Sequence, residues 1–381
     1  MHIDKDYIIR VRRELHKVPE LGFELDKTLA IIRRELDAIG LPYTEEYGKS
    51  CIIATLNEGI GNKTIAIRAD TDALPIQEEV DVPFASTHPG KMHACGHDAH
   101  TAMLLGTAKA LKAMEKDIKC CVKFIFQSAE EILGGAKSIC DDGFMDQVDE
   151  IIACHIFATT NAGTISLCHT CNSACSRGFY LHLYGKSSHA ARPHQGVDAI
   201  AMAVRVYNDI QFMRARELNP IEPVVIAVGA IHGGTVNNVV CDHVTMNVSI
   251  RSQTTQMDAH IYKRITEIAE SVAKDMGGSA KLETYKYCPA LWNEPNIADR
   301  IYAAAEKTLG EANILPKKES MGAEDFAYYL QHKPGCMFYP GIGTEGEPYT
   351  PSHSAGFKIN EDSLIVAPKV FIQYILDNME K

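Results

Sequence analysis

The chain contains no uninterrupted apolar stretch of the roughly 18 residues that a membrane-spanning helix needs. Its opening residues, Met1 through Leu15, carry charge throughout and have no apolar centre of the kind a secretory signal requires. Clusters of Lys and Arg are absent as well: 38 basic residues face 49 acidic ones, for a formal net charge of −11. That balance argues against nucleic acid or an anionic membrane surface as partner. There is no internal repeat and no low-complexity linker. These absences lead to the expectation of a soluble, cytoplasmic protein. In a reducing compartment its 12 cysteines are expected to be thiols, buried or on metal, and not a disulfide framework. With 381 residues, 46% of them hydrophobic, the chain can bury a large core, and its length favours two domains.

What is present is concentrated in Met92–His100, Met-His-Ala-Cys-Gly-His-Asp-Ala-His, where one thiol, three imidazoles and one carboxylate fall within nine residues. On an extended segment alternate side chains share a face, so Cys95 and His97 can reach one small volume. Thiolate and imidazole together suit zinc or a similar first-row divalent ion, but two ligands do not hold one. The remaining ligands are sought at the carboxyl ends of buried strands, where open α/β sheets keep their sites. Thr64–Ala69 leads to Asp70 and Asp72, Cys121–Phe126 to Glu130 and Glu131, Ile151–Cys154 to His155, and Cys336–Tyr339 to a loop holding His353.

A lone strand-end carboxylate is more often a cap or a surface charge, and a lone histidine on an apolar strand more often a core group. Their density here favours chemistry. Cys95, His97, Glu131, His155 and His353 are too many ligands for one tetrahedral zinc and suit two ions sharing a bridging ligand, expected to be Cys95. Glu130 is then free to act as general base toward the attacking water, and Asp72 to orient a ligand histidine. Metal-assisted hydrolysis is the reaction class this set suits.

Elsewhere the periodicity predicts two helices over Asp6–Ile39 with a break at Pro19–Gly22, and a helix over Thr101–Met114. Between Phe179 and Tyr287 the order becomes strand Phe179–Gly185, helix Val197–Glu217, strands Val224–Ile231 and His243–Arg251, helix Met257–Met276 and strand Ala280–Tyr287. That is the β-α-β-β-α-β order of ferredoxin-like domains. Residues 178–290 are therefore expected as a domain inserted into one formed by 1–177 and 291–381. Asp258 is expected to cap the later helix and Gly277-Gly278 to end it. After Asn296 come a helix to Leu309, another over Asp325–Leu330 and a last one over Leu364–Met379.

Several motifs carry a resemblance: Leu15–Gly22 (Leu-His-Lys-Val-Pro-Glu-Leu-Gly), Arg68–Pro75, His93–Thr101, Ser128–Glu131, Ser188-His189-Ala190, Gly233–Val239, Ile250-Arg251, Met321–Phe326 and His353-Ser354. Almost end to end, the chain resembles the dinuclear-metal amidohydrolases that include aminoacylases, hippurate hydrolases, N-acetyl-diaminopimelate deacetylase and the plant auxin–amino acid conjugate hydrolases. The resemblance implies a zinc-peptidase-like α/β catalytic domain and an inserted ferredoxin-like lid that mediates dimerisation, with a tetramer as a further option. It implies two divalent ions (zinc, manganese, cobalt or nickel) on Cys95, His97, Glu131, His155 and His353, with Glu130 as base. His189 is the implied oxyanion stabiliser, assisted by Asn238, and Arg251 a candidate for the substrate carboxylate. The implied substrate is an N-acyl amino acid, split into a carboxylic acid and a free amino acid.

Competing expectations are a metallo-dipeptidase or carboxypeptidase, a hydrolase using Cys95 as nucleophile, and a binding module with a dead centre. Cys168-His-Thr-Cys-Asn-Ser-Ala-Cys175, followed by Arg177, departs from the family pattern. It admits a second metal or iron–sulfur site on Cys168, Cys171 and Cys175 beside the reading of ordinary buried thiols.

Overall fold

Thr64–Asp70, Cys121–Gln127, Glu150–Cys154 and Gly335–Gly343 are runs in which almost every residue is buried, the pattern of strands covered on both faces. In the computed structural model, which describes residues 2–379, they lie parallel and adjacent. Cys121–Gln127 pairs with Thr64–Asp70, that strand with Glu150–Cys154, and the last with Gly335–Gly343. Antiparallel Ile52–Leu56 and Tyr43–Thr44 extend the sheet at one side, and Phe157–Asn161, Ile165–Leu167 and Ile314–Pro316 at the other. This makes nine strands among the described residues. All four central strands run the same way, so Asp70, Gln127, Cys154 and Gly343 end on one edge.

Helices Lys5–His16, Asp26–Ile39, His97–Ala113, Pro295–Leu309 and Val366–Asn378 belong to the same unit, and their boundaries follow local chemistry. Asp4 accepts the Tyr7 N–H at 3.0 Å to cap the first helix. Gly40, at φ +78°, ends the second. Glu294 caps the fourth, which opens on Pro295. Ile8, Val11, Leu105, Phe124, Phe126, Phe338 and Phe371 meet in one core.

The two compact units are Met1–Asn172 with Trp292–Glu319 and Asp325–Lys381, and Ser173–Leu291 with Ser320–Glu324. In the second, strand Cys175–Tyr184, helix Ala199–Arg216, strands Val224–Gly233 and His243–Ser252, helix Thr255–Asp275 and strand Ser279–Cys288 follow one another. The strands form an antiparallel sheet in the spatial order Val224–Gly233, His243–Ser252, Cys175–Tyr184, Ser279–Cys288. Its first strand starts ahead of residue 178 because Cys175 pairs with Ser252 and Ser176 with Cys288. Phe179, Leu181, Val248 and Ile250 pack against Met202, Val206, Ile261 and Ile265 of the two helices.

Two local expectations are corrected. Asp258 does not cap its helix: Thr254 does, accepting the Met257 N–H at 3.1 Å. Asp258 is instead fully buried and takes the Arg177 guanidinium at 2.9 and 2.6 Å. Gly277, at φ +82°, does end that helix, with the Gly278 N–H donating to Ala273 O at 2.8 Å. Second, the helix expected from Thr101 begins at His97. Among the described residues no helix is long and apolar enough to cross a membrane.

Candidate metal centre

The carboxyl edge of the parallel strands gathers Cys95, His97, Glu131 and His155, but not as alternating side chains of an extended segment. Gly96 stands between Cys95 and His97 at φ +83° and is the N-cap of the helix His97–Ala113. A Cβ on it would lie 2.0 Å from Ile156 Cδ1. A left-handed glycine turns the chain so that thiol and imidazole point together, and the helix N-terminus beneath favours negative charge nearby.

Glu130 and Glu131 lie on a tight turn after their strand, with Ala129 at φ +53° and the Leu133 N–H donating to Glu130 O at 2.7 Å. Asp72 holds that turn. Its two carboxylate oxygens accept the Glu130 and Glu131 N–H groups at 3.0 and 3.3 Å, and one of them is 3.3 Å from His97 Nδ1.

The ligand atoms of Cys95, His97 and Glu131 all lie within 4.8 Å of one another. Cys95 Sγ is 3.3 Å from His155 Nε2, whose ring is oriented by Nδ1–H donating to Ile156 O at 2.9 Å. His353, on an exposed loop at φ +61°, is pinned by its N–H to Ala94 O at 2.8 Å, and its Nε2 is 3.4 Å from Glu131 Oε1. His97 Nε2 is 3.9 Å from Glu131 and 4.0 Å from Glu130. Both ring nitrogens of His97 and Glu131 Oε1 are buried without a hydrogen-bond partner. Orphaned buried donors and acceptors of this kind cost about 1–3 kcal/mol each unless something fills the gap.

The electrostatics point to a cation. Burial would push the Cys95 thiol up, yet the neighbouring His155, with His353 and His97 close by, brings it down to about 6. Cys95 and Glu131 hold His353 up at about 10. Burial disfavours charge on His97, but Asp70 and Asp72 raise it well above the ordinary imidazole value. Burial also opposes charge on Glu131, but His353 and His97 keep it low. The cluster draws protons to neutralise a thiolate and carboxylates. Divalent ions meet the same demand and displace those protons. The donor set thus fits metal, and thiolate with imidazole and carboxylate suits first-row divalent ions.

One layer below lies a network that sequence reasoning did not resolve. His100 Nδ1–H donates to Asp70, and the Ile156 N–H donates to His100 Nε2 at 2.9 Å, so both nitrogens are occupied and His100 is a brace, not a ligand. Burial, with His155 and His97 nearby, lowers His100 to about 4 against the opposing pull of Asp70. Asp70 also takes Arg68 at 2.7 Å. That guanidinium reaches Gln127 at 2.7 Å and Asp325 at 2.8 Å, all of them buried. The sequence signals were Arg68-Ala-Asp70 and the third histidine of Met92–His100.

In the second unit, His189 bridges to Val239 while the Ala190 N–H donates to Asn238 O at 3.0 Å, which joins two segments far apart in sequence. The Ala191 N–H donates to His189 Nδ1 at 3.0 Å, placing the ring proton on Nε2. Arg251 sits on the strand His243–Ser252 opposite Ser176. The 12 cysteines are free thiols. Cys168 accepts the Thr170 N–H at 3.4 Å, and the converging groups of metal-type side chains among the described residues include none of Cys168, Cys171 and Cys175.

A parallel α/β sheet with such a cluster at its carboxyl edge is the frame of a metallohydrolase, and residues 66–377 match the peptidase family M20/M25/M40, to which the chain belongs. It is accordingly an amide-hydrolysing enzyme. It is 34% identical over 360 residues to the N-acetyl-L-cysteine deacetylase of Bacillus subtilis (strain 168), covering 94% of this chain and 85% of that one. To thermostable carboxypeptidase 1 of Saccharolobus solfataricus it is 32% identical over 366 residues, covering 94% and 92%. Among solved structures it is similar to the Bacillus subtilis YXEP protein, a dinuclear metal binding peptidase from the M20 family, at TM-score 0.83 and 30% identity, covering 98% of each chain.

Proposed function

We propose that the chain hydrolyses the amide bond of N-acyl amino acids, releasing a carboxylic acid and a free amino acid, with two divalent ions held by Cys95, His97, Glu131, His155 and His353. The observation that carries this reading is the convergence of Cys95, His97 and Glu131 around buried, unpartnered ligand atoms. The ions, zinc, manganese, cobalt or nickel, supply Lewis-acid polarisation of the carbonyl and make a water easier to deprotonate. Glu130 accepts the proton of the attacking water and returns it to the leaving nitrogen. Asp72 keeps Glu130 and Glu131 aimed by holding both of their N–H groups. In the inserted unit, read as a ferredoxin-like lid, His189 offers Nε2–H to the developing oxyanion with Asn238 beside it, and Arg251 receives the substrate carboxylate.

The lid is also the proposed homodimer contact, with a tetramer as the alternative assembly. Ile200, Val204 and Tyr207 recur at helical spacing on Ala199–Arg216 with 44%, 57% and 40% of their surface exposed, and Val224–Gly233 is an edge strand. A contiguous apolar stripe beside an unpaired strand edge suits a partner. A cytoplasmic location is part of the same proposal. A second reading, carboxypeptidase action on short peptides, is favoured by the similarity to thermostable carboxypeptidase 1.

The deciding experiment measures amino-acid release from N-acetyl, N-benzoyl and longer N-acyl amino acids and from dipeptides, with chelator and then with manganese or zinc restored. Release that chelator stops and metal restores is expected, and preference for dipeptides moves the conclusion to the second reading. Glu130→Gln should keep its metal while turnover falls by roughly 100- to 10,000-fold. Near-normal turnover in that variant removes Glu130 as the base.

A further inference from the structure

In the second unit, strand burial sorts side chains onto two faces of the sheet. Leu181, Leu183, Val244 and Met246 are fully buried in the core that the two helices share. Alternation then puts His182, Tyr184, His243 and Thr245 on the opposite face, where Tyr184 and His243 are exposed and His182 and Thr245 half-buried. The register makes them neighbours: His243 lies opposite Tyr184, and Thr245 opposite His182.

The three rings stack nearly parallel. Tyr184 lies against His243 with centroids 4.8 Å apart and planes 9° apart, and His182 against His243 at 5.6 Å and 15°. Stacking fixes the direction of both imidazoles, and their nitrogens converge. His182 Nδ1 is 3.4 Å from His243 Nε2, and Thr245 Oγ1 is 3.1 Å from the first and 3.4 Å from the second. A tetrahedral ion with bonds of about 2.0–2.1 Å to nitrogen sets its ligand atoms about 3.3–3.4 Å apart. The two nitrogens and the hydroxyl form a triangle of nearly that size.

A third imidazole stands on the same face. His232, exposed on Val224–Gly233, is the cross-strand partner of Thr245, one strand spacing of roughly 4.8 Å away. The nearest cation along the row is Lys281, opposite His182, and its ammonium is drawn to Glu283 at 3.7 Å.

We propose that this face of the second unit binds a divalent ion of the imidazole-preferring kind, zinc foremost, on His182 Nδ1 and His243 Nε2. The Thr245 hydroxyl occupies the third corner, and His232 completes the set by a change of rotamer. Imidazole nitrogens suit zinc, copper and nickel and leave magnesium and calcium unbound. The ion ties strands Cys175–Tyr184, Val224–Gly233 and His243–Ser252 together through their side chains. This site does not depend on the substrate assigned to the cluster around Cys95.

The test counts zinc per chain by elemental analysis of full-length protein at dialysis equilibrium over a range of free zinc. Wild type is expected to hold one ion more than the double variant His182→Asn/His243→Asn, with amide hydrolysis equal in the two. Each single variant should weaken that ion by at least about tenfold, the least that even an outer partner of a metal ligand contributes, and His232→Asn should weaken it as well. In unmutated protein, zinc should protect His182 and His243 from diethyl pyrocarbonate, mapped by peptide mass spectrometry. Equal zinc content in wild type and the double variant overturns the site. So does carbethoxylation of His182 and His243 at the same rate with zinc as without it, which needs no variant to fold.

Discussion

Gly96→Ala concentrates the structural argument in one methyl group. The residue sits at φ +83°, where an L side chain costs about 1–2 kcal/mol. The added Cβ would also stand 2.0 Å from Ile156 Cδ1 and 3.0 Å from its Cγ1, against an optimal carbon–carbon separation of about 3.5–4.0 Å. Relieving that overlap means moving Ile156, the residue whose N–H holds His100 and whose carbonyl orients His155. Overpacking of this kind costs about 1–3 kcal/mol, so a total loss of roughly 2–5 kcal/mol is expected. The two parts are separable. Ile156→Val removes Cδ1 at a cost of about 0.5–1.5 kcal/mol on its own, and combined with Gly96→Ala it should return most of the overlap part and none of the backbone part. Denaturant unfolding of the wild type, the two single variants and the double variant gives the coupling directly, and metal content per chain shows whether the Cys95–His97 pair has been pulled apart. A Gly96→Ala variant as stable as wild type, or additive behaviour in the cycle, would refute the claim that this glycine is required by contact with Ile156.

Arg68→Met should destabilise the first unit by about 3–5 kcal/mol, because it leaves the buried carboxylates of Asp70 and Asp325 without their shared cation; thermal unfolding measures the loss. In the second unit Arg177→Met leaves the fully buried Asp258 unpaired, and limited proteolysis should show cleavage within residues 173–291 that the wild type resists. Glu35 gives a pH signature. Burial alone would raise its carboxyl, but hydrogen bonds from Arg10 and Arg34 outweigh it, so the folded value lies below the ordinary 4.5. A depressed folded value means that the pairing stabilises fully above pH 4.5 and is lost as pH falls through the folded value. Glu35→Gln should therefore lower stability at neutral pH and converge with wild type in acid; a deficit that persists at low pH contradicts the pairing.

Much of the site could be read from composition and order alone, for reasons particular to each residue. Runs such as Cys121–Phe126 are too apolar to be anything but buried strands, and a polar residue just past such a strand must lie at the sheet edge. That brings Asp72, Glu131 and His155 into one region without knowledge of side-chain positions. The β-α-β-β-α-β order of residues 175–288 was legible because its helices and strands change periodicity cleanly, with Gly277 marking one boundary.

Contacts distant in sequence were not legible. Asp258 looked like a cap by position, and only the neighbouring strand, which brings Arg177 within 2.6 Å, makes it a buried counter-ion. Cys95 and His97 do converge, but not along the extended segment expected: a left-handed glycine at a helix start brings the two side chains together. What the sequence determined by itself was the chemical inventory and the edge of the sheet on which it collects, because strand burial and chain direction are local properties of the pattern. Tertiary structure decided which of the three histidines of Met92–His100 is a brace and which faces the cluster, because the Asp70 carboxylate and the Ile156 N–H that occupy His100 arrive from strands tens of residues away.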